Sequence, residues 1–164
     1  MRRIRSHSFA RDLFRETQVH VKNLIYPMFV QEGTKKKDPI PSMPGVYRFS
    51  LDILLKELDT VVKLGIPAIA LFPVVEKDKK DLKAKESFNE KGLVQRSIAA
   101  IKKSHPSLGV ITDIALDPYT SHGQDGIIDA SGYVLNDVTI DVLVKQAVSH
   151  ANAGADVVAP SDMM

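Results

Sequence analysis

The sequence contains no cysteine and no tryptophan, and its aromatic residues are limited to four Tyr and six Phe. Without cysteine there is no disulfide framework, no thiolate zinc site and no cysteine nucleophile. No stretch approaches the roughly 18–20 apolar residues of a membrane span, so no membrane association is expected. The basic start Met1-Arg2-Arg3-Ile4-Arg5 runs into Arg11, Asp12, Arg15 and Glu16 without an apolar core segment. A secretory signal is therefore not expected; a cytosolic protein is, and the basic start is also compatible with organelle import. Internal repeats are absent, and the only biased stretch is the lysine-rich Lys77–Lys85, which reads as an exposed loop.

Positive charge is scarce at one end. The net charge is +2, yet residues 107–164 hold a single cation, Lys145, against eight Asp and no Glu. Residues 1–50 carry a balance of +6 and residues 51–106 one of +3. Aspartate favours turns, caps and sites over helix interiors. Eight of them facing one lysine suggest a positive partner: a metal ion, a bound amine or basic groups from elsewhere in the protein. The basic N-terminal segment alternates its cations with acids and apolar residues, so nucleic acid is not expected.

The chain has 164 residues, 44% of them apolar and 26% charged, the balance of one globular domain. Four β-branched runs are each preceded or followed by helical periodicity. Strands are expected near residues 24–30, 68–74, 108–116 and 156–162. Pro27 argues against an ordinary central position for the first. Ser50 reads as the N-cap of a helix carrying Leu51, Leu54, Leu55, Leu58, Val61 and Val62 and ending at Gly65. Leu93, Val94, Ile98 and Ile101 mark a second helix, stopped by His105-Pro106. Thr139 reads as the N-cap of a third, with Val138 and Leu143 as a hydrophobic staple. Its stripe of Ile140, Leu143, Val144, Ala147, Val148 and Ala151 is the most regular in the chain, and it ends at Gly154.

Strands alternating with helices indicate a parallel α/β architecture. A doubly wound sheet is one solution, but a final apolar strand without a covering helix would expose a face and an edge. The other is the first half, about four β/α units, of a (β/α)₈ barrel, which takes about 250 residues in full.

Chemistry concentrates in Asp113-Ile114-Ala115-Leu116-Asp117-Pro118-Tyr119-Thr120-Ser121-His122-Gly123-Gln124-Asp125-Gly126. Strand periodicity puts Asp113, Ala115 and Asp117 on one face at the C-terminal end of the third strand, the edge where parallel α/β folds bind ligands. Gly123 and Gly126 allow a tight loop that brings Asp125 back toward Asp117. Such acids suit a hard cation or a substrate ammonium; a structural ion pair and solvated loop acids are the other two readings, with His122 as a loop histidine bonded to backbone. Ser161-Asp162 repeats the pattern at the end of the fourth strand.

Several passages together resemble one family. Leu24-Ile25-Tyr26-Pro27, Ser42-Met43-Pro44-Gly45-Val46, Leu71-Phe72-Pro73-Val74, Leu116 to Gly123, Asn136-Asp137 and Gly154 to Met164 are ordered and spaced as in the N-terminal half of the porphobilinogen synthases, also called δ-aminolevulinic acid dehydratases. The resemblance implies a (β/α)₈ barrel spanning residues 23–164 in part, and an extended N-terminal arm, residues 1–22, that embraces a neighbouring subunit in a homo-oligomer. It also implies condensation of two 5-aminolevulinate molecules to porphobilinogen with loss of two waters, a lyase reaction of tetrapyrrole synthesis. Zinc-dependent members carry cysteines where this chain has Ala115, Asp117 and Asp125. Carboxylates favour magnesium over zinc, so the resemblance implies an aspartate-rich, zinc-independent type with Asp117 and Asp125 as metal residues. By the same match Asp113 supports catalysis and Ser161 and Asp162 line the substrate pocket. The family's two Schiff-base lysines and its carboxylate-binding arginines lie past the counterpart of Met164, and Lys145 reads as mid-helix. The chain alone is therefore expected to lack turnover. Two other readings are an aldolase on a complete small fold, which needs an internal lysine at a strand end, and a non-catalytic half-barrel acting as an assembly partner.

Overall fold

A computed structural model describes residues 2–164. The strands are β1 (Ile25–Gln31), β2 (Lys37–Pro39), β3 (Tyr47–Ser50), β4 (Ala68–Val74), β5 (Gly109–Ile114) and β6 (Val157–Pro160). The helices are α1 (Ser8–Leu13), α2 (Leu51–Lys63), α3 (Leu93–Ser104) and α4 (Asn136–Asn152). One sheet contains all six strands in the order β2-β3-β1-β4-β5-β6. Every pairing is parallel except β2 with β3.

The order β1-β4-β5-β6 follows the chain without reversal, so the strands are singly wound. The helices confirm it by lying on one side. Met28, Val30, Ile69, Leu71 and Val110 project from alternate positions of three strands into one core with Leu54, Leu58 and Val61 of α2 and Ile98 and Ile101 of α3. A doubly wound sheet would place helices on both faces. Helices on one face and strands in chain order are the topology of a (β/α)₈ barrel, and the described residues form four consecutive strands of one with the three helices between them. The opposite face carries Phe29, Ala70, Phe72, Ile111 and Asp113, all only half-buried.

Pro27 has a local explanation. β3 pairs only with Phe29–Gln31 of β1, while β4 pairs along its whole length. At Pro27 β1 has a single neighbour, where a residue without an N–H is tolerated. Neither β2 nor β3 was expected, since each is too short to produce a periodic signal.

The region before β1 was expected to be an extended arm. It contains the short helix α1 and 3₁₀ turns at Arg3–Arg5 and Val21–Asn23, with Phe9, Leu13 and Phe14 on the surface. Met1 lies outside the described residues.

The start of α4 corrects the expected cap. The helix begins at Asn136, so Thr139 lies within its first turn. Its hydroxyl donates to the Leu135 carbonyl (2.7 Å) and accepts the buried N–H of Ile127 (3.0 Å), tying the preceding loop to the helix. Val138 is exposed and forms no staple. The expected core stripe of α4 is covered only in part: Leu143 packs inward, but Val144 and Val148 are 54% and 53% exposed, while Thr139, Gln146 and His150 are buried. The helix docks through hydrogen bonds, Gln146 donating to the Ala115 carbonyl (3.2 Å), and through Val142 and Leu143 against Leu116, Tyr119 and Ile127. Periodicity located the helix; it did not identify which of two apolar strips the sheet would cover. Gly65 (φ +79°) and Gly154 (φ +105°) end α2 and α4 in the left-handed region, as their positions suggested.

Candidate active site at the C-terminal ends of the strands

The inner face of the sheet opens into a cleft of about 480 Å³ at the C-terminal ends of β1, β4 and β5, the end where such barrels bind ligands. Phe29 and Phe72 form its floor, paired in register on β1 and β4 with ring centroids 5.6 Å apart. Asp113, Asp117, Arg48 and Lys80 bring charge to its walls.

Asp113 is the last inward residue of β5, and its register partner on β6 is Ala159. Ser161 follows Ala159 by two residues, and its hydroxyl donates to Asp113 Oδ1 at 2.6 Å. Two of the expected site residues, from separate strand ends, thus form one hydrogen-bonded pair. The strand periodicity used for Ala115 and Asp117 stops earlier than expected. β5 ends at Ile114, and the N–H groups of Tyr119 and Thr120 both bond the Leu116 carbonyl, turning the chain. Ala115 and Leu116 are both buried, whereas Asp117 emerges at the cleft wall beside solvent.

Asp125 is exposed in the loop beyond, and its charge acts on the other acids. Burial, reinforced by Asp125 and Asp113, pushes the Asp117 carboxyl above its ordinary range, with Lys80 pulling the other way. Burial and Asp125 push Asp162 up to about 6, and its Oδ2 is enclosed without a hydrogen-bond partner. The four aspartates therefore form one electrostatic group. Among the described residues, no three His, Cys, Asp or Glu side chains are gathered closely enough to hold a metal by themselves. His122 belongs to the loop, where its Nδ1 accepts the Gln124 N–H (3.1 Å).

The raised Asp162 carboxyl has a measurable consequence. The folded state binds this proton more tightly than the unfolded chain, so the group favours folding below about pH 4 and loses that contribution as pH rises through about 6. Asp162→Asn should raise stability at pH 8 by about 1 kcal/mol, allowing for solvent screening of a half-open carboxyl, and change little at pH 3.5. Urea denaturation at the two pH values checks this; equal effects at both would contradict it.

Arg48 and Lys80 were not singled out by the sequence. Arg48 lies between Tyr47 and Phe49, and only its pairing with Phe29 puts it on the inner face. Lys80 was hidden in the run expected to be an exposed loop. That run is instead anchored: Lys79 Nζ pairs with Glu32 (2.7 Å), Ala84 is buried, and Asp81 bridges Thr120. The distinguishing signal in the sequence was weak: one lysine among six in Lys77–Lys91.

Comparison with known proteins agrees with this arrangement. The family model described as Delta-aminolevulinic acid dehydratase matches residues 1–164. The Bradyrhizobium diazoefficiens protein named delta-aminolevulinic acid dehydratase is 47% identical over 99% of the chain and 46% of its own length. The chloroplastic Arabidopsis thaliana delta-aminolevulinic acid dehydratase 1 is 44% identical over 99% of the chain and 38% of its own length. A crystal structure of the Toxoplasma gondii enzyme, in complex with the reaction product porphobilinogen, superposes with a TM-score of 0.96 at 46% identity, covering 99% of the chain and 46% of that structure. The chain spans about half the length of the curated relatives it matches, or somewhat less. With a half-barrel fold, acids at the strand ends and a match running from the first residue to the last, the chain belongs to the delta-aminolevulinic acid dehydratase family.

Proposed function

We propose that this chain supplies the first half of the barrel of a porphobilinogen synthase, which condenses two molecules of 5-aminolevulinate to porphobilinogen with loss of two waters. The observation that carries the reading is the Ser161–Asp113 pair at the cleft wall, where two strand ends meet and Asp113 lines the cleft. A carboxylate held by a hydroxyl and facing a partly apolar cleft can accept a proton from a substrate amine and return it. Phe29 and Phe72 exclude water on one side, and Asp162 adds a carboxyl raised by its surroundings. The amine chemistry of the reaction needs a lysine freed of its proton by a dry or cationic environment. None of the lysines here meets that description: Lys80, the one lysine lining the cleft, is half-buried beside Asp113 and Asp117, an acidic setting and not a dry or cationic one. The chain alone is therefore proposed to be incompetent in turnover.

Magnesium belongs to this proposal. Its habit of keeping several waters and taking one or two carboxylates suits the pair Asp117 and Asp125, whose charges act on each other. Asp117 and Asp125 would hold it, and when bound it would supply positive charge to a substrate oxygen. Thiolates being absent, zinc is not proposed. Homo-oligomer assembly through the arm is part of the same reading. So is a cytosolic location, or an organellar one as for the relatives named chloroplastic. No helix among the described residues is long and apolar enough to cross a membrane.

The test joins this chain to the C-terminal half of the Bradyrhizobium diazoefficiens relative and measures porphobilinogen formation from 5-aminolevulinate. Product from the joined protein is expected, with borohydride trapping placing no adduct within residues 1–164. A folded joined protein without product, or a stoichiometric adduct on a lysine of this chain, would overturn the reading. A second reading, a half-barrel that only assembles with another chain, draws on the uncovered Ile25 and Val157 at its margins and on the outer strip of α4. It predicts a large assembly in size-exclusion chromatography and no contribution of Asp113 to product formation.

A further inference from the structure

Gln146 is fully buried on α4, an uncommon place for a side chain that is usually left in water. An apolar residue would fill the same space with no amide to satisfy, and here one end of the amide stays unsatisfied. Gln146 Oε1 is enclosed without a hydrogen-bond partner, which costs stability. Neighbouring positions of the helix show the apolar solution: Val142 and Leu143 pack on Leu116, Tyr119 and Ile127. A buried polar group of this kind calls for a reason other than packing.

The other end of the amide supplies one. Gln146 Nε2 donates to the Ala115 carbonyl at 3.2 Å, across 31 residues of sequence. That carbonyl lies just past the end of β5 at Ile114. The ladder to β6 stops there too, at Pro160, which has no N–H to offer a neighbour. The N–H of the same peptide unit, that of Leu116, acts as a donor toward the Asp162 carboxyl and holds it below the level that burial would set. One peptide group is therefore gripped at its oxygen from the helix side and at its N–H from the end of β6. The next carbonyl, that of Leu116, accepts the N–H groups of Tyr119 and Thr120, both at 2.9 Å. Asp117 follows directly on these two fixed carbonyls. Gln146 also acts as a donor toward the buried Tyr119 hydroxyl, two residues further on.

We propose that Gln146 is a positioning residue for the acids of the site, fixing the Ala115–Leu116 peptide from behind the sheet so that Asp117 and Asp162 keep their places at the strand ends. Its kinetic consequence rests on the porphobilinogen-forming reading; the contact itself does not. Gln146 is not among the residues lining the cleft, so it acts through the peptide alone. A peptide released from Gln146 can tilt, which turns the Leu116 N–H away from Asp162 and moves Asp117 along the wall. A misplacement of about 1 Å at a reacting group can cost about a hundredfold in rate. The donor on the carbonyl also polarises the peptide and strengthens its N–H as a donor.

The test pairs Gln146→Met, close in length and without a donor, with Gln95→Met as a control. Gln95 is a second buried glutamine, on α3, whose amide donates to the Ser87 carbonyl (3.0 Å) and to Ser149 Oγ (2.9 Å) and not to the turn that carries the acids. In the joined protein Gln146→Met should lower kcat by about tenfold or more with KM within about threefold, while Gln95→Met leaves kcat within about twofold. Each variant removes one buried amide, so a loss of stability alone predicts equal effects on kcat. In amide NMR spectra of the chain itself, Gln146→Met should shift the Leu116 and Asp117 signals and Gln95→Met should leave them in place. The unmodified chain gives a measurement independent of how any variant folds. Its Gln146 side-chain amide protons should exchange with solvent about a hundredfold slower than those of the exposed Gln124. The positioning role is overturned if Gln146→Met costs less than about tenfold in kcat, if Gln95→Met costs as much, or if the two side-chain amides exchange alike. The two readings fail separately. Leu116 and Asp117 signals that depend on Gln146, in a joined protein that forms no porphobilinogen, keep the positioning and remove the reaction. Porphobilinogen formed with a kcat indifferent to Gln146→Met keeps the reaction and removes the positioning.

Discussion

An Asp113→Asn variant of the joined protein should lose at least a hundredfold in kcat, with KM changed far less. The carboxyl of Asp113 accepts the Ser161 hydroxyl at 2.6 Å and stands in the cleft beside Phe72. Asparagine keeps an oxygen that can accept the same hydrogen bond, so the local fold and the position of Ser161 should survive. What disappears is the negative charge and the capacity to take a proton, and general acid–base groups contribute typically about 10²–10⁴ in rate. Porphobilinogen formation measured over a range of 5-aminolevulinate concentrations separates kcat from KM. A loss below fivefold would mean that Asp113 only orders Ser161, and a matching rise in KM would mean that it only binds.

The second large effect is on stability. Leu58, at the centre of α2, is fully buried against the outer face of the sheet. Truncating such a leucine removes its transfer free energy and leaves a cavity, together costing about 2–5 kcal/mol. Leu58→Ala should therefore lower the urea midpoint strongly. Val62→Ala, on the exposed side of the same helix, should stay within about 0.5 kcal/mol of the parent. Equal effects from the two would show that α2 does not pack as described. The comparison also bears on the site, since α2 follows directly from β3, the strand that carries Arg48.

Much of the scaffold was legible because its signals are local. Continuous apolar runs marked β1, β4, β5 and β6, and glycines marked the ends of α2 and α4. Asp113, Ser161 and Asp162 could be placed at strand ends because a parallel strand has a definite C-terminal edge. The short strands β2 and β3 were not legible, because a few residues do not establish a period. Thr139 was misread as a cap because its hydroxyl serves a distant loop N–H, and a sequence does not display partners twelve residues away. The apolar strip of α4 was misassigned in part for a related reason: periodicity reports that a helix has a face, while the neighbouring elements decide which face is covered.

The sequence by itself determined the alternation of strand and helix, the acidic character of the last third, the absence of sulfur ligands and the family resemblance, all properties of residue type and order along the chain. Tertiary structure alone decided that the strands are singly wound with helices on one side, that Ser161 reaches Asp113 across 48 residues of sequence, and that Arg48 and Lys80 face the same cleft. Those juxtapositions depend on strand register and on the anchoring of one loop by another. Both are set by hydrogen bonds and packing between residues far apart in the chain, which no local pattern encodes.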